Sequence, residues 1–475
     1  MNLNKNDILE LEITGYAFEG KGIAKIDTDD PDRKFVVFVN RAYPGDKVSA
    51  RLVKVKKTYA EALVENLLSP GELRTQAKCR HFGICGGCKQ QDMKYENQLQ
   101  FKDVQVKEIF EHIAGLSGYQ RESIIGSENI FFYRNKMEFS FADKRWLTKD
   151  EMSDEEITDR KFAVGLHIPR IFDKVLDITE CFLQSETSSG IVNFTRDFFK
   201  SRNVSIYNTK DHTGFLRNLV IKESHHTNDL MVNLVTSAED EELLKEYTGI
   251  MLKLYPQITT VVNNVNLKKA QVATGDFEKI FHGSGFITDM IGKFHYRISA
   301  NSFFQTNTSQ AVHLYEKALE YAGLTGNEIV YDLYSGAGTI SIFVAEKAVE
   351  VYAFESVEPA VTDAIFNAEQ NGINNITFIQ ADLNKSFLPI VKTENFPKPD
   401  VVISDPPRSG MNPKTVSDLQ QLSPKKIVYV SCNPATQARD IELLVQGGYR
   451  LVITCAVDMF PHTFHIENVA LLIKD

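Results

Sequence analysis

Hydrophobic and polar positions change rhythm twice along the chain. Residues 1 to about 66 carry short valine-rich stretches, such as Phe35–Val39 and Val48–Val55, broken by Gly20, Gly22 and the Pro44-Gly45 pair. Short strands with such turns predict a small antiparallel barrel. From about 67 to 292 the pattern is mixed, with strand-like segments around one helical stretch near Tyr95–Ala114. From about 293 apolar strand runs alternate with helical segments, the mark of a parallel sheet with crossover helices. The predicted architecture is α/β. An OB-like barrel over 1–66 precedes an α+β central unit over 67–292 and a Rossmann-like domain over 293–475. The acidic stretch Lys149–Arg160 reads as an exposed loop.

Each strand of the last third delivers a polar group to the same sheet edge, where open α/β folds bind ligands. Glu328–Leu333 runs into Tyr334-Ser335-Gly336-Ala337-Gly338-Thr339, ahead of a helical Ile340–Lys347. These glycines permit close approach by a nucleotide, and Glu355, at the end of the next strand, can accept ribose hydroxyls. The third glycine of the dinucleotide fingerprint is missing, so the adenosyl group of S-adenosylmethionine fits better than NAD. Strand Ile376–Gln380 ends near Asp382, a candidate acceptor for an adenine amino group. Strand Pro399–Ser404 delivers Asp405-Pro406-Pro407-Arg408, whose prolines hold Asp405 as a fixed acceptor; a plain rigid turn is the simpler alternative. Strand Val428–Val430 leads into Ser431-Cys432-Asn433-Pro434, which displays a thiol where a lone cysteine would ordinarily be core filling. Glu467 lies in a polar turn before the last strand, Val469–Ile473, and is placed there as a general base. His462 and His465 beside it do not complete a metal site.

Composition narrows the setting. A chain of 475 residues, 43% hydrophobic and 24% charged, is built for two or three globular units. No apolar run reaches membrane-spanning length and the N-terminus has no export segment, so a cytoplasmic protein without a membrane partner is expected. A formal charge of -10 excludes a wholly basic nucleic-acid coat but leaves room for a local patch. Arg51, Lys54, Lys56, Lys57 and Tyr59 form one; it suits either a solvated strand face or an RNA backbone. Three of the six cysteines, Cys79, Cys85 and Cys88, fall together among glycines, at metal-ligand spacing. Disulfides are disfavoured in such a chain. Cys181 is the unassigned cysteine available as a fourth ligand. Zinc, with His81 as a possible substitute ligand, and an iron–sulfur cluster both remain open. The radical-enzyme run Cys-x3-Cys-x2-Cys is absent, which points to a structural cluster.

These pieces fit one reaction. A thiolate from Cys432 adds to C6 of a flipped uracil, C5 becomes nucleophilic toward the methyl of S-adenosylmethionine, and Glu467 then removes the C5 proton. Asp405 accepts from uracil N3–H. The motifs Asp405-Pro406-Pro407-Arg408, Ser431-Cys432-Asn433-Pro434 and His462-Thr463-Phe464-His465-Ile466-Glu467 together resemble the RNA uracil-C5 methyltransferase family. The resemblance extends to Ser302-Phe303-Phe304-Gln305-Thr306-Asn307 and Tyr133-Arg134-Asn135-Lys136, covering nearly the whole chain. It implies a cofactor site of Gln305, Tyr334, Thr339, Glu355, Asp382 and Asp405, with Tyr334 and Thr339 standing where the family commonly has phenylalanine and asparagine. The barrel and cysteines look like those of the branch acting on 23S ribosomal RNA, which implies a TRAM domain and a 4Fe-4S cluster on Cys79, Cys85, Cys88 and Cys181. A monomer acting on ribosomal RNA is expected. The rival readings are a tRNA-directed enzyme of the same family, an amino-methyltransferase, a cytosine-C5 methyltransferase, and a non-catalytic RNA-binding iron–sulfur protein.

Overall fold

The computed structural model describes residues 3–475 apart from 29, 31, 155–159, 170 and 271. Its N-terminal part is a six-stranded sheet whose buried face gathers Val37, Val39, Val48, Ala50 and Leu52. The expected all-antiparallel pattern holds except for one pair. Lys34–Asn40 runs parallel to Tyr59–Ser69, because the connection between them crosses over through Lys47–Val55 instead of turning back as a hairpin.

The central part is an eight-stranded mixed sheet with helices Glu186–Ser201 and Glu241–Leu254 packed on one face. Of the acidic stretch, Lys149–Met152 is helical where a loop is expected, while residues 155–159 lie outside the described residues. A reciprocal cap explains the helix: Thr148 Oγ1 accepts from the Glu151 N–H at 3.2 Å and Glu151 accepts from the Thr148 N–H at 2.9 Å.

The C-terminal sheet follows the order Ile376–Gln380, Glu350–Glu355, Ile329–Leu333, Val401–Ser404, Lys426–Ser431, Glu467–Lys474, Tyr449–Val457. The first five are parallel, and Glu467–Lys474 is inserted antiparallel between Lys426–Ser431 and Tyr449–Val457. The order reverses beside Ile329–Leu333, whose neighbours are the second and fourth strands of this domain. Open α/β sheets bind their ligands at the carboxyl ends beside such a switch point. Two pieces of the central segment complete this domain. Gln120–Arg121 pairs with Ile453 and Thr454 at the sheet edge, and helix Tyr95–Ile113 buries Val106, Ile109 and Phe110 in the same core as Leu419, Ile441 and Leu472. A hairpin, Phe286–Ile291 and Phe294–Ser299, straddles residues 292 and 293 and is tied to the neighbouring helix by Asn367 and Asn371. No helix among the described residues is long and apolar enough to cross a membrane.

Candidate active site

Strand register brings the central trio together. Ser431 pairs with Asn468 in the antiparallel ladder, so one further step sets Cys432 opposite Glu467. Glu467 is the first residue of its strand and is 5% exposed; the expected polar turn ends one residue sooner, because the ladder with Val457 captures it. Asp405 follows Ser404, whose strand lies beside Leu333, and its N–H donates to the Leu333 carbonyl at 3.3 Å. The Arg408 carbonyl accepts from Asn433 Nδ2 at 3.1 Å and Thr436 Oγ1 at 3.2 Å, which locks the proline loop to the cysteine turn. Asn433 also caps helix Pro434–Gln446 through the Ala435 N–H, at 3.1 Å, with Pro434 opening the helix. Cys432 is therefore held between a strand end and a capped helix start.

The electrostatics of the trio are those of crowded acids. Burial pushes the half-buried Cys432 thiol up to about 12, aided by Glu467 and Asp405 and opposed by Arg408. Burial raises Asp405 to about 7, and burial together with Asp405 raises Glu467 well above the carboxylate range. Two carboxyls in one enclosed space do not both ionise readily. Asp405 therefore opposes ionisation of Glu467, and both carboxyls oppose ionisation of the Cys432 thiol.

The nucleotide side is built on the turn after Leu333. Tyr334 and Ser335 both donate N–H groups to the Phe354 carbonyl, and Tyr334 adopts φ +66°, a left-handed conformation held by those bonds. A Cβ on Gly338 would lie 3.0 Å from the Ala364 methyl and 3.1 Å from the Phe378 ring, whereas one on Gly336 would meet nothing within 4 Å. That open space fits a nucleoside. Glu355 accepts from the N–H groups of Gly336, Ser356 and Val357 at 3.0, 2.7 and 2.8 Å, which fixes its carboxylate beside the turn. Asp382 is exposed and is held low by the Asn384 N–H and Lys385. Gln305 is buried, and its carbonyl accepts from Asn135 Nδ2 at 2.7 Å. Thr339 Oγ1 shares a hydrogen bond of 2.9 Å with the Tyr315 hydroxyl, which also interacts with the Gln305 side chain. Tyr315 and Asn135 thus organise Gln305 and Thr339; Asn135 belongs to the Tyr133–Lys136 motif, whereas Tyr315 carries no signal in its local sequence beyond helical patterning.

All four expected cysteines line one cavity, together with Leu166, Ile178, Phe182 and Leu183. Gly86 permits this closure, since a Cβ there would sit 2.4 Å from the His167 carbonyl oxygen. Burial and their mutual repulsion push the Cys85 and Cys88 thiols up to about 11 and about 12. Their sulfurs accept weak bonds from the Gly87 N–H and Gln91 Nε2, at 3.3 and 3.6 Å. His81 also lines the cavity, and its Nε2 accepts from the Thr179 N–H at 3.2 Å. Among the described residues no three His, Cys, Asp or Glu side chains are grouped to hold a single metal ion. Four thiols around one largely apolar-walled cavity supply the donor number that zinc and an iron–sulfur cluster both accept.

Comparisons with known proteins agree with this layout. Residues 253–475 match the family model described as tRNA (Uracil-5-)-methyltransferase, and residues 3–64 match the TRAM domain. An uncharacterized RNA methyltransferase of Chlorobaculum tepidum is 41% identical over 98% of this chain and 96% of its own length. One from Bacteroides thetaiotaomicron is 41% identical over 96% of this chain and 99% of its own. The crystal structure of Pyrococcus abyssi tRNA (uracil-54, C5)-methyltransferase in complex with S-adenosyl-L-homocysteine is similar with a TM-score of 0.75 and 32% identity. That match covers 98% of this chain and 99% of the archaeal one.

Proposed function

The chain belongs to the RNA uracil-5-methyltransferase family, S-adenosylmethionine-dependent enzymes, and from that premise we propose that it forms 5-methyluridine in 23S ribosomal RNA through a covalent Cys432–C6 adduct. The observation that carries the mechanism is the register that sets Cys432 opposite Glu467 with Asp405 alongside. Asp405 accepts from uracil N3–H, an atom at which cytosine has no donor. The Cys432 thiolate forms the S–C6 bond and the C5=C6 electron pair moves toward O4. C5 then takes the methyl group, and Glu467 receives the C5 proton as the C5=C6 bond re-forms and the sulfur leaves. S-adenosylmethionine supplies an electrophilic methyl on a cationic sulfur, a charge that favours ionisation of the neighbouring thiol and carboxyls.

Gln305, Tyr334, Thr339, Glu355, Asp382 and Asp405 would hold that cofactor, and Cys79, Cys85, Cys88 and Cys181 a 4Fe-4S cluster. Methyl transfer moves no net electrons, so the cluster's contribution is to cross-link the fold. In this reading residues 1–66 dock RNA, 67–292 house the cluster and 293–475 perform the transfer, in a cytoplasmic monomer.

A second reading, a tRNA target, is favoured by the archaeal structure, whose match covers 98% of this chain and so is not confined to the catalytic domain. The deciding experiment incubates purified protein and cofactor with 23S ribosomal RNA and with tRNA, both free of 5-methyluridine, and maps the product. Modification of tRNA alone overturns the ribosomal assignment. Trapping on 5-fluorouracil RNA tests the chemistry: a cofactor-dependent adduct is expected, and its persistence in Cys432→Ala would sink the mechanism.

A further inference from the structure

The loop that leads into Glu467, residues 458–466, is shaped by residues from far earlier in the chain. Lys102, 1% exposed, meets the fully buried Asp458 at 2.6 Å and donates again to the Phe460 carbonyl at 3.1 Å. Tyr95 donates to the other Asp458 oxygen at 3.0 Å, and Tyr133 to the Pro461 carbonyl at 3.0 Å. The contacts converge on His462. Its N–H donates to Gln98 Oε1 at 2.9 Å, its carbonyl accepts from the N–H groups of Lys89 and Gln90 at 2.8 and 3.0 Å, and its ring packs 4.4 Å from that of Phe131. His462 is held at φ +66°, a conformation that costs a residue with a β-carbon about 1 kcal/mol and persists only where the surroundings impose it.

We propose that Gln98, Lys102 and Tyr133 are positioning residues for the last step of the reaction, fixing the main chain just ahead of Glu467 so that its carboxylate meets the C5 proton. The idea rests on Glu467 being the base. In that step the proton passes from C5 to Glu467, the C5–H electron pair becomes the C5=C6 bond, and the C6–S pair returns to the Cys432 sulfur. Formation of the S–C6 bond and methyl transfer depend on Cys432 and the residues that would hold the cofactor, whereas Gln98, Lys102 and Tyr133 bond to residues 458–462. Cys88 directly precedes Lys89, so three of the cavity thiols, Cys79, Cys85 and Cys88, and the amides that hold His462 belong to one continuous segment. Whatever fixes those thiols also steadies the loop of the base.

A merely structural role would slow every step alike, whereas loss of positioning slows elimination alone. Gln98→Ala and Tyr133→Phe should therefore accumulate a methylated protein–RNA adduct on ordinary RNA. A base displaced by about 1 Å predicts at least about tenfold more adduct than wild type. Their rates of trapping on 5-fluorouracil RNA should stay within about twofold of wild type. Tyr133→Phe removes a single hydroxyl and decides the matter if Gln98→Ala does not fold. Glu467→Gln runs in parallel. If it fails to accumulate the adduct, the reading of the base is wrong. If it accumulates the adduct and both other variants do not, or if their trapping and turnover fall together, the positioning proposal is overturned.

Discussion

Cys432 sits between opposed influences. The start of a capped helix favours a thiolate, yet burial and two neighbouring carboxyls hold the sulfur protonated in the free protein. Alkylation of Cys432 by iodoacetamide should therefore be at least about 100-fold slower than that of a simple thiol at pH 7. Glu467→Gln should accelerate it, which peptide mass spectrometry would detect; rapid alkylation of the wild type would contradict this picture. Asp332, fully buried beneath the glycine turn, is raised from 3.8 to about 7, chiefly by burial. Because the folded state binds this proton more tightly, the stabilisation is present below pH 4 and is lost as pH rises through about 7. Wild type should lose about 2–3 kcal/mol between pH 5 and 8 relative to Asp332→Asn, measured by urea unfolding at the two pH values. Cys432 and the Asp405 loop were legible as candidates because a strand followed by Cys-Asn-Pro or Asp-Pro-Pro is a local pattern. Tyr315 was not, since its link to Gln305 and Thr339 arises only when helix Thr308–Ala322 packs beside the turn.

At the scale of elements, the strand–turn–helix units carry the site. Gly338→Ala should weaken S-adenosylhomocysteine binding at least about tenfold by calorimetry, since the new methyl must displace Ala364 or the Phe378 ring and occupies φ +77°. Unchanged affinity would show that the turn can relax. The cysteine loop makes a second unit. Serine at any one of Cys79, Cys85, Cys88 or Cys181 should abolish the visible absorbance of an iron–sulfur cluster, and His81→Ala should leave it intact. Colour lost with His81→Ala would restore a histidine ligand. Spacing alone leaves zinc and iron open, because both accept four thiolates; the absorbance of the occupied site tells them apart. The helix Lys149–Met152 is hidden for a related reason: the Thr148–Glu151 cap that starts it lies in a stretch whose acidic composition is that of a solvated loop.

Over the whole molecule, the parts are interlocked instead of strung together. Arg74 bridges the fully buried Asp46 of the barrel and Asp92 beside the cysteine loop, and lies 4.6 Å over the Tyr43 ring. Tyr43 donates in turn to Asp92. Arg74→Ala leaves Asp46 without its ionic partner and should cost about 3–5 kcal/mol, seen as a lower unfolding midpoint; a change below 1 kcal/mol would mean the junction is not tightly coupled. The sequence by itself determined the α/β alternation, the displayed thiol, the carboxylate motifs and the clustered cysteines, because periodicity, caps and ligand spacing are properties of neighbouring residues. Tertiary structure alone decided that helix Tyr95–Ile113 serves the catalytic sheet, that Glu467 faces Cys432, and that Gln98 grips His462. The last two partners stand 364 positions apart, and such a contact depends on the packing of the complete fold, on which local propensity is silent.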